Sequence, residues 1–178
     1  HNRVSELHRF LIAAKAGACV SGSINAGHGY DSHRNHDINH EEGTRQLTRM
    51  LDYLWSKAAA LGIADRLVVF VTSDVGRTPH YNGNNGKDHW SNGHALIMMQ
   101  GQAWTNRVVG LSGPRHEKLN IDPDTLDEHP DGVRLRTGHV QLALRQVLGI
   151  QDHPLCRQFP IDLPEIDLFG SATSPALV

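Results

Sequence analysis

Residues 66–90, RLVVF followed by VTSDVGRTPHYNGNNGKDHW, decide how the chain is read. Arg66–Phe70 opens a short apolar, β-branched run that stops abruptly at Ser73-Asp74. Beyond it runs a Gly/Asn-rich loop closing on Asp88-His89-Trp90. Leu67–Thr72 shows no polar alternation, the pattern of a strand covered on both faces of a sheet. Such a strand anchors the backbone, so the polar residues just past it, Ser73 and Asp74, are held at the mouth of a site. Ligands in open α/β sheets bind at these carboxyl ends.

Working outward, Ala95–Met99 is a second apolar run and Val108-Val109 a shorter third. Helical spacing recurs on both sides. Val4, Leu7, Phe10, Leu11 and Ala14 share one face of a first helix. Leu47, Met50, Leu51, Leu54, Ala58 and Leu61 share a face of a second, which Gly62 closes and the pair Asn39/Glu42 opens as a capping-box variant. Ala18–Asn25 between them reads as a short strand. Thr137 caps a last helix carrying Val140, Ala143, Leu144, Val147 and Leu148, ended by Gly149. Strands alternating with amphipathic helices predict an α/β layered domain over residues 1–170, with a loose tail at 171–178.

At 178 residues, with 39% hydrophobic and 20% charged side chains, the chain has the make-up of a globular domain that buries a core. A net charge of −2 argues against a nucleic-acid-binding surface. No apolar run reaches the roughly 18 residues a membrane span needs. Cys19 and Cys156 are far apart and form no CxxC, so they permit one disulfide without implying a scaffold. The chain opens on His1 without an initiator Met or a signal-peptide core, which reads as a true start lying upstream.

The count that stands out is thirteen histidines. Asp31 and His33 lie at i and i+2, so in extended backbone their side chains point the same way. With Asp74 and His89 they make a set of two carboxylates and two imidazoles suited to zinc, iron or manganese. Each has a plainer reading: an Asp at a strand end is commonly a turn former, and a His in a Gly-rich loop is commonly solvated. Asn82-Gly83 and Asn85-Gly86 are ordinary turn chemistry. His36 and His40 share a helical face at i, i+4, or simply lead into the second helix. His40-Glu41 and His116-Glu117 begin an HExxH but lack its second histidine. Asp122, Asp124, Asp127 and Asp131 suggest a calcium loop, yet Leu126 stands at a ligand position. No nucleophile elbow, P-loop or dinucleotide fingerprint is present.

Taken whole, Ser73–Trp90 resembles the hallmark segment of the DUF1501 family, a group within the alkaline phosphatase/sulfatase-like superfamily. Gly29-Tyr-Asp-Ser-His33 resembles the family's Gly-Trp-Asp-Thr-His, and Asn106-Arg-Val-Val-Gly110 its Gly-Arg-Val-Ile-Gly. Leu155–Pro160 through Leu168-Phe-Gly170 resembles its C-terminus. The resemblance covers the C-terminal part of a family member. It implies a three-layer α/β/α fold with a mixed, mostly parallel sheet, alkaline-phosphatase-like and incomplete at the N-terminus. It implies a divalent metal ion, with zinc favoured over iron, manganese, calcium or magnesium, held by Asp31, His33, Asp74 and His89. The activity implied is hydrolysis of a small anionic phosphate or sulfate ester, with the nucleophile in the missing N-terminal half of the same protein. Arg77 would grip an anionic oxygen of the substrate, its alternative being a surface ion pair, and Asp88 would orient His89. Val75 stands where such hydrolases carry a further metal-binding His. That departure keeps a second reading open, a non-catalytic exported binding or assembly protein with a structural ion. The family's usual twin-arginine signal implies a periplasmic or secreted location.

Overall fold

The computed structural model describes residues 3–27 and 29–170; the tail expected at 171–178 lies outside the described residues. The chain divides into two compact units, His1–Gly101 and Gln102–Val178.

In the first unit, helix α1 (Arg3–Lys15) packs against the long helix α2 (His36–Leu61). The spacing that predicts α1 buries Leu7 and Leu11, which meet Ala58, Ile63 and Ala64. Phe10, Leu54, Trp55 and Leu67 seal the margins of this core. Across the same seam His8 Nδ1 meets the Tyr53 hydroxyl at 2.6 Å. Helix α2 ends where the sequence indicates: Gly62 adopts a left-handed φ of 67° and its N–H donates to the Ala58 and Ala59 carbonyls.

The start of α2 differs from the capping-box expectation. The helix begins at His36, behind Asn35 in a left-handed conformation (φ 47°), not at Asn39. Asn39 is inside the helix and its amide donates to the Arg34 carbonyl, while Glu42 pairs with Arg45 and Gln46. The expected strand over Ala18–Asn25 is irregular chain, with Val20 wholly exposed. Its many small and polar residues give a strand too little apolar surface to bury.

The three-layer α/β/α sheet is overturned. The strands β1 (Val69–Thr72), β2 (Gly76–Arg77), β3 (His89–Trp90), β4 (Ala95–Met98), β5 (Asn120–Ile121) and β6 (Val133–Arg134) form three separate two-stranded ribbons. All three are antiparallel, pairing β1 with β4, β2 with β3 and β5 with β6. The two apolar runs thus pair with each other, Val69 opposite Met98 and Thr72 opposite Ala95. The reason lies in the connection. A parallel pair needs a long crossover, usually a helix. Residues 73–94 carry Gly76, Pro79, Gly83, Gly86 and Gly93, which disfavour a helix and bring the chain back antiparallel. The runs are also only half-buried, with Leu96 47% exposed. An apolar run of four residues does not report whether one face or two are covered.

In the second unit, helix α3 (Thr137–Val147) buries Ala143, Leu144 and Val147 as its periodicity predicts. Ala143 packs with Ile166 and Leu168, flanked by Val109, Val133, Leu135 and Val140. Val108-Val109 is not a strand: Val109 joins this core and Val108 is exposed. The cap of α3 is Arg136, whose N–H donates to Nδ1 of the buried His139 at 2.9 Å. Burial pushes the His139 imidazole below its ordinary range, so it is held neutral. A further short helix, α4 (Pro154–Gln158), comes after α3 and is led by Pro154 in its first turn. Cys19 and Cys156 are free thiols. No helix among the described residues is long and apolar enough to cross a membrane.

Candidate metal centre

Two loops of the first unit build the site. One, residues 29–35, leads into α2; the other, residues 78–88, joins β2 to β3. In that ribbon Arg77 lies opposite His89. Thr78 continues the pairing, its N–H donating to the Asp88 carbonyl at 2.9 Å and its hydroxyl accepting from Asp88 N–H.

The loops are joined by main-chain hydrogen bonds. Lys87 N–H donates to the Ser32 carbonyl at 2.9 Å, and His36 N–H to the Asn85 carbonyl at 2.8 Å. Asn82 is the central fastener. Its amide nitrogen donates to the His33 carbonyl and to the Asp88 carboxylate, while its amide oxygen accepts from Asn84 and Gly86 N–H. Gly86 lies flat against the first loop, where a Cβ would come within 1.9 Å of the His33 carbonyl oxygen. Behind the loop, the fully buried Ser32 hydroxyl meets His36 Nδ1 at 2.6 Å.

The result is convergence of Asp31, His33 and His89. One ligand atom from each lies within 4.8 Å of the other two, the group among the described residues able to hold a metal ion. His33 Nε2 is 3.2 Å from His89 Nε2 and 3.3 Å from Asp31 Oδ1, and the third side of the triangle is 4.0 Å. A point equidistant from three atoms so placed lies about 2.1 Å from each, the length of a Zn–N or Zn–O bond. The donors are two nitrogens and one oxygen, which suits zinc, iron or manganese. The residues therefore fit an ion.

Electrostatics support the charged state such a site needs. Arg77 donates to Asp31 Oδ1 at 2.8 Å, and this bond first, with the nearby histidines adding to it, holds the Asp31 carboxyl below the usual carboxylate range. Asp88 is held low in the same way, first by the bond from His33 and then by Asn82. Both carboxylates are largely exposed, so solvent screens much of these interactions. His33 Nδ1 meets Asp88 Oδ1 at 2.8 Å. An imidazole donating its Nδ1–H to a carboxylate presents a bare Nε2, the arrangement that orients metal-binding histidines. Asp88 thus supports His33, where the sequence points to its neighbour His89. Asp88→Asn is expected to weaken ion binding by roughly 10–100-fold, read as the dissociation constant in a competitive dye titration. Unchanged affinity would remove Asp88 from the site.

Two residues singled out in the sequence stand differently. Asp74 does not join the converging group. Its Oδ1 accepts from Val75 N–H at 2.9 Å and from the Ser73 hydroxyl, the bonding of a turn former. Arg77 is largely buried, with its guanidinium divided between Asp31 and the Lys87 carbonyl. Three contributors were hidden in the sequence: Asn82, Gly86 and Ser32. Their only local signals are turn-forming dipeptides and a serine between two ligand types.

No curated protein and no solved structure was found to match the chain. Residues 14–117 match the family model described as "Protein of unknown function (DUF1501)". That span holds both site loops and covers more than half of the sequence, so the chain belongs to the DUF1501 family.

Proposed function

We propose that the chain binds one divalent metal ion through Asp31, His33 and His89, and that the whole protein uses it to hydrolyse a small phosphate or sulfate ester. The observation that carries the metal reading is the triangle of ligand atoms, whose dimensions match one ion. Three protein donors on an exposed surface leave coordination positions open, the mark of a catalytic rather than a closed structural site. A bound divalent ion would neutralise charge building on transferred phosphoryl or sulfuryl oxygens. Asp88 holds the His33 ring in place, and Arg77 holds Asp31 ionised and oriented.

The ester class is supported by the likeness of Gly29–His33 and Ser73–Trp90 to metal-binding segments of the alkaline phosphatase/sulfatase-like superfamily. Membership of that superfamily, and export to the periplasm or beyond, belong to this proposal. The three-layer sheet does not.

A non-catalytic binding or assembly role is the second reading. It is favoured by Arg77, whose two terminal nitrogens each donate within the protein, to the Lys87 carbonyl and to Asp31, on a side chain only 14% exposed. The two readings separate in an assay of the whole protein, loaded with zinc, manganese or iron, against phospho- and sulfo-monoesters with and without a chelator. Hydrolysis that the chelator stops is the expected result. A metal-loaded protein inert toward both ester classes would overturn the catalytic reading and leave the binding one.

A further inference from the structure

We propose that His36 and His40 form a second cation site, separate from the Asp31–His33–His89 group, taking Cu(II), Ni(II) or Zn(II) through two imidazole nitrogens. The two residues occupy the first turns of α2 at i and i+4, so their side chains are neighbours on one helix face. The ring centroids are 4.9 Å apart. The His33 and His89 rings, whose Nε2 atoms approach to 3.2 Å, have the same 4.9 Å separation. Two imidazoles bound to one ion at a Zn–N length of about 2.0 Å place their centroids about 4.5 Å apart at a right angle and about 5.2 Å at the tetrahedral angle. The observed spacing falls between these values.

The second support is the way His36 is held. The Ser32 hydroxyl meets His36 Nδ1 at 2.6 Å, so that ring nitrogen is engaged and Nε2 is the one that can take an ion. With its proton on Nδ1, His36 donates to the hydroxyl and turns a bare Nε2 outward. This is the same relation that Asp88 imposes on His33, with a neutral hydroxyl in place of a carboxylate. His40 is exposed, with the Tyr30 ring packed edge-on against it at 5.2 Å, so an ion from solvent can reach it. The positive end of the helix opposes a cation here, and Asp37 in the first turn offsets it. With imidazoles alone as ligands, the site favours Cu(II), Ni(II) and Zn(II) over magnesium or calcium, which prefer oxygen donors.

The test is equilibrium dialysis of the whole chain against Ni²⁺. Two ions per chain are expected for the wild type and one each for His40→Gln and His89→Gln. An excess of Mg²⁺ should not displace the ion from the His36–His40 pair. His40→Gln is on the surface and keeps the Ser32–His36 bond, so the helix stays intact, which circular dichroism confirms independently. The proposal is overturned if His40→Gln retains the wild-type number of ions, or if the wild type binds a single ion that only His89→Gln removes. Because the variants address different sites, this proposal and the Asp31–His33–His89 reading fail separately.

Discussion

Gly86→Ala is expected to abolish ion uptake at Asp31, His33 and His89 and to lower the unfolding midpoint in the same variant. A methyl group at this position would come within 1.9 Å of the His33 carbonyl oxygen and 2.5 Å of the Arg34 nitrogen. Both neighbours are backbone, so no side-chain rotation relieves the overlap. The loops must part. Parting costs the Lys87–Ser32 and His36–Asn85 hydrogen bonds and the grip of Asn82 on His33. Overpacking alone costs about 1–3 kcal/mol, and each broken hydrogen bond adds about 1 kcal/mol. A loss of roughly 3 kcal/mol or more is therefore expected in a denaturant titration. Wild-type stability together with wild-type ion affinity would show that the loops do not meet at Gly86.

The second large effect concerns the ligands. His89→Ala and Asp31→Ala each remove one of three donors. Their ion affinity should fall by more than the roughly 10–100-fold that loss of an outer partner costs. Asp74→Ala should leave the metal-to-protein ratio unchanged, because Asp74 is bonded to Val75 N–H and lies outside the converging group. Both ligand side chains are exposed, so neither substitution opens a cavity, and loss of metal without loss of fold is the expected pattern. Plasma emission spectrometry on the dialysed variants reads the ratio directly. Metal retained by His89→Ala would remove His89 from the ligands, and metal lost from Asp74→Ala would add Asp74 to them.

The contrast between Asp74 and Asn82 shows where local reading stops. Both obey the same rule, that Asp and Asn side chains bond nearby backbone N–H groups. Among the described residues, Asp74 bonds only to its immediate neighbours Ser73 and Val75. Asn82 makes the same kind of local bond to Asn84 and Gly86, but its second polar atom also reaches His33 and Asp88. That difference depends on a loop 49 residues earlier in the chain, and no short window of sequence contains it.

By itself the sequence determined helices α1 and α3, α2 apart from its start, and the chemistry on offer. The apolar faces of α1, α2 and α3 follow from a spacing that holds whatever the helices pack against. The glycine that ends α2 answers a purely local need for left-handed backbone. The carboxylate and imidazole types at 31, 33 and 89 are likewise visible without coordinates. Tertiary structure alone decided the pairing of β1 with β4, because two apolar runs carry no mark of direction and the connection between them sets it. It also decided which acid joins the histidines. A metal site is a set of distances of a few ångströms, and distances between separate loops are set by the hydrogen bonds that join those loops.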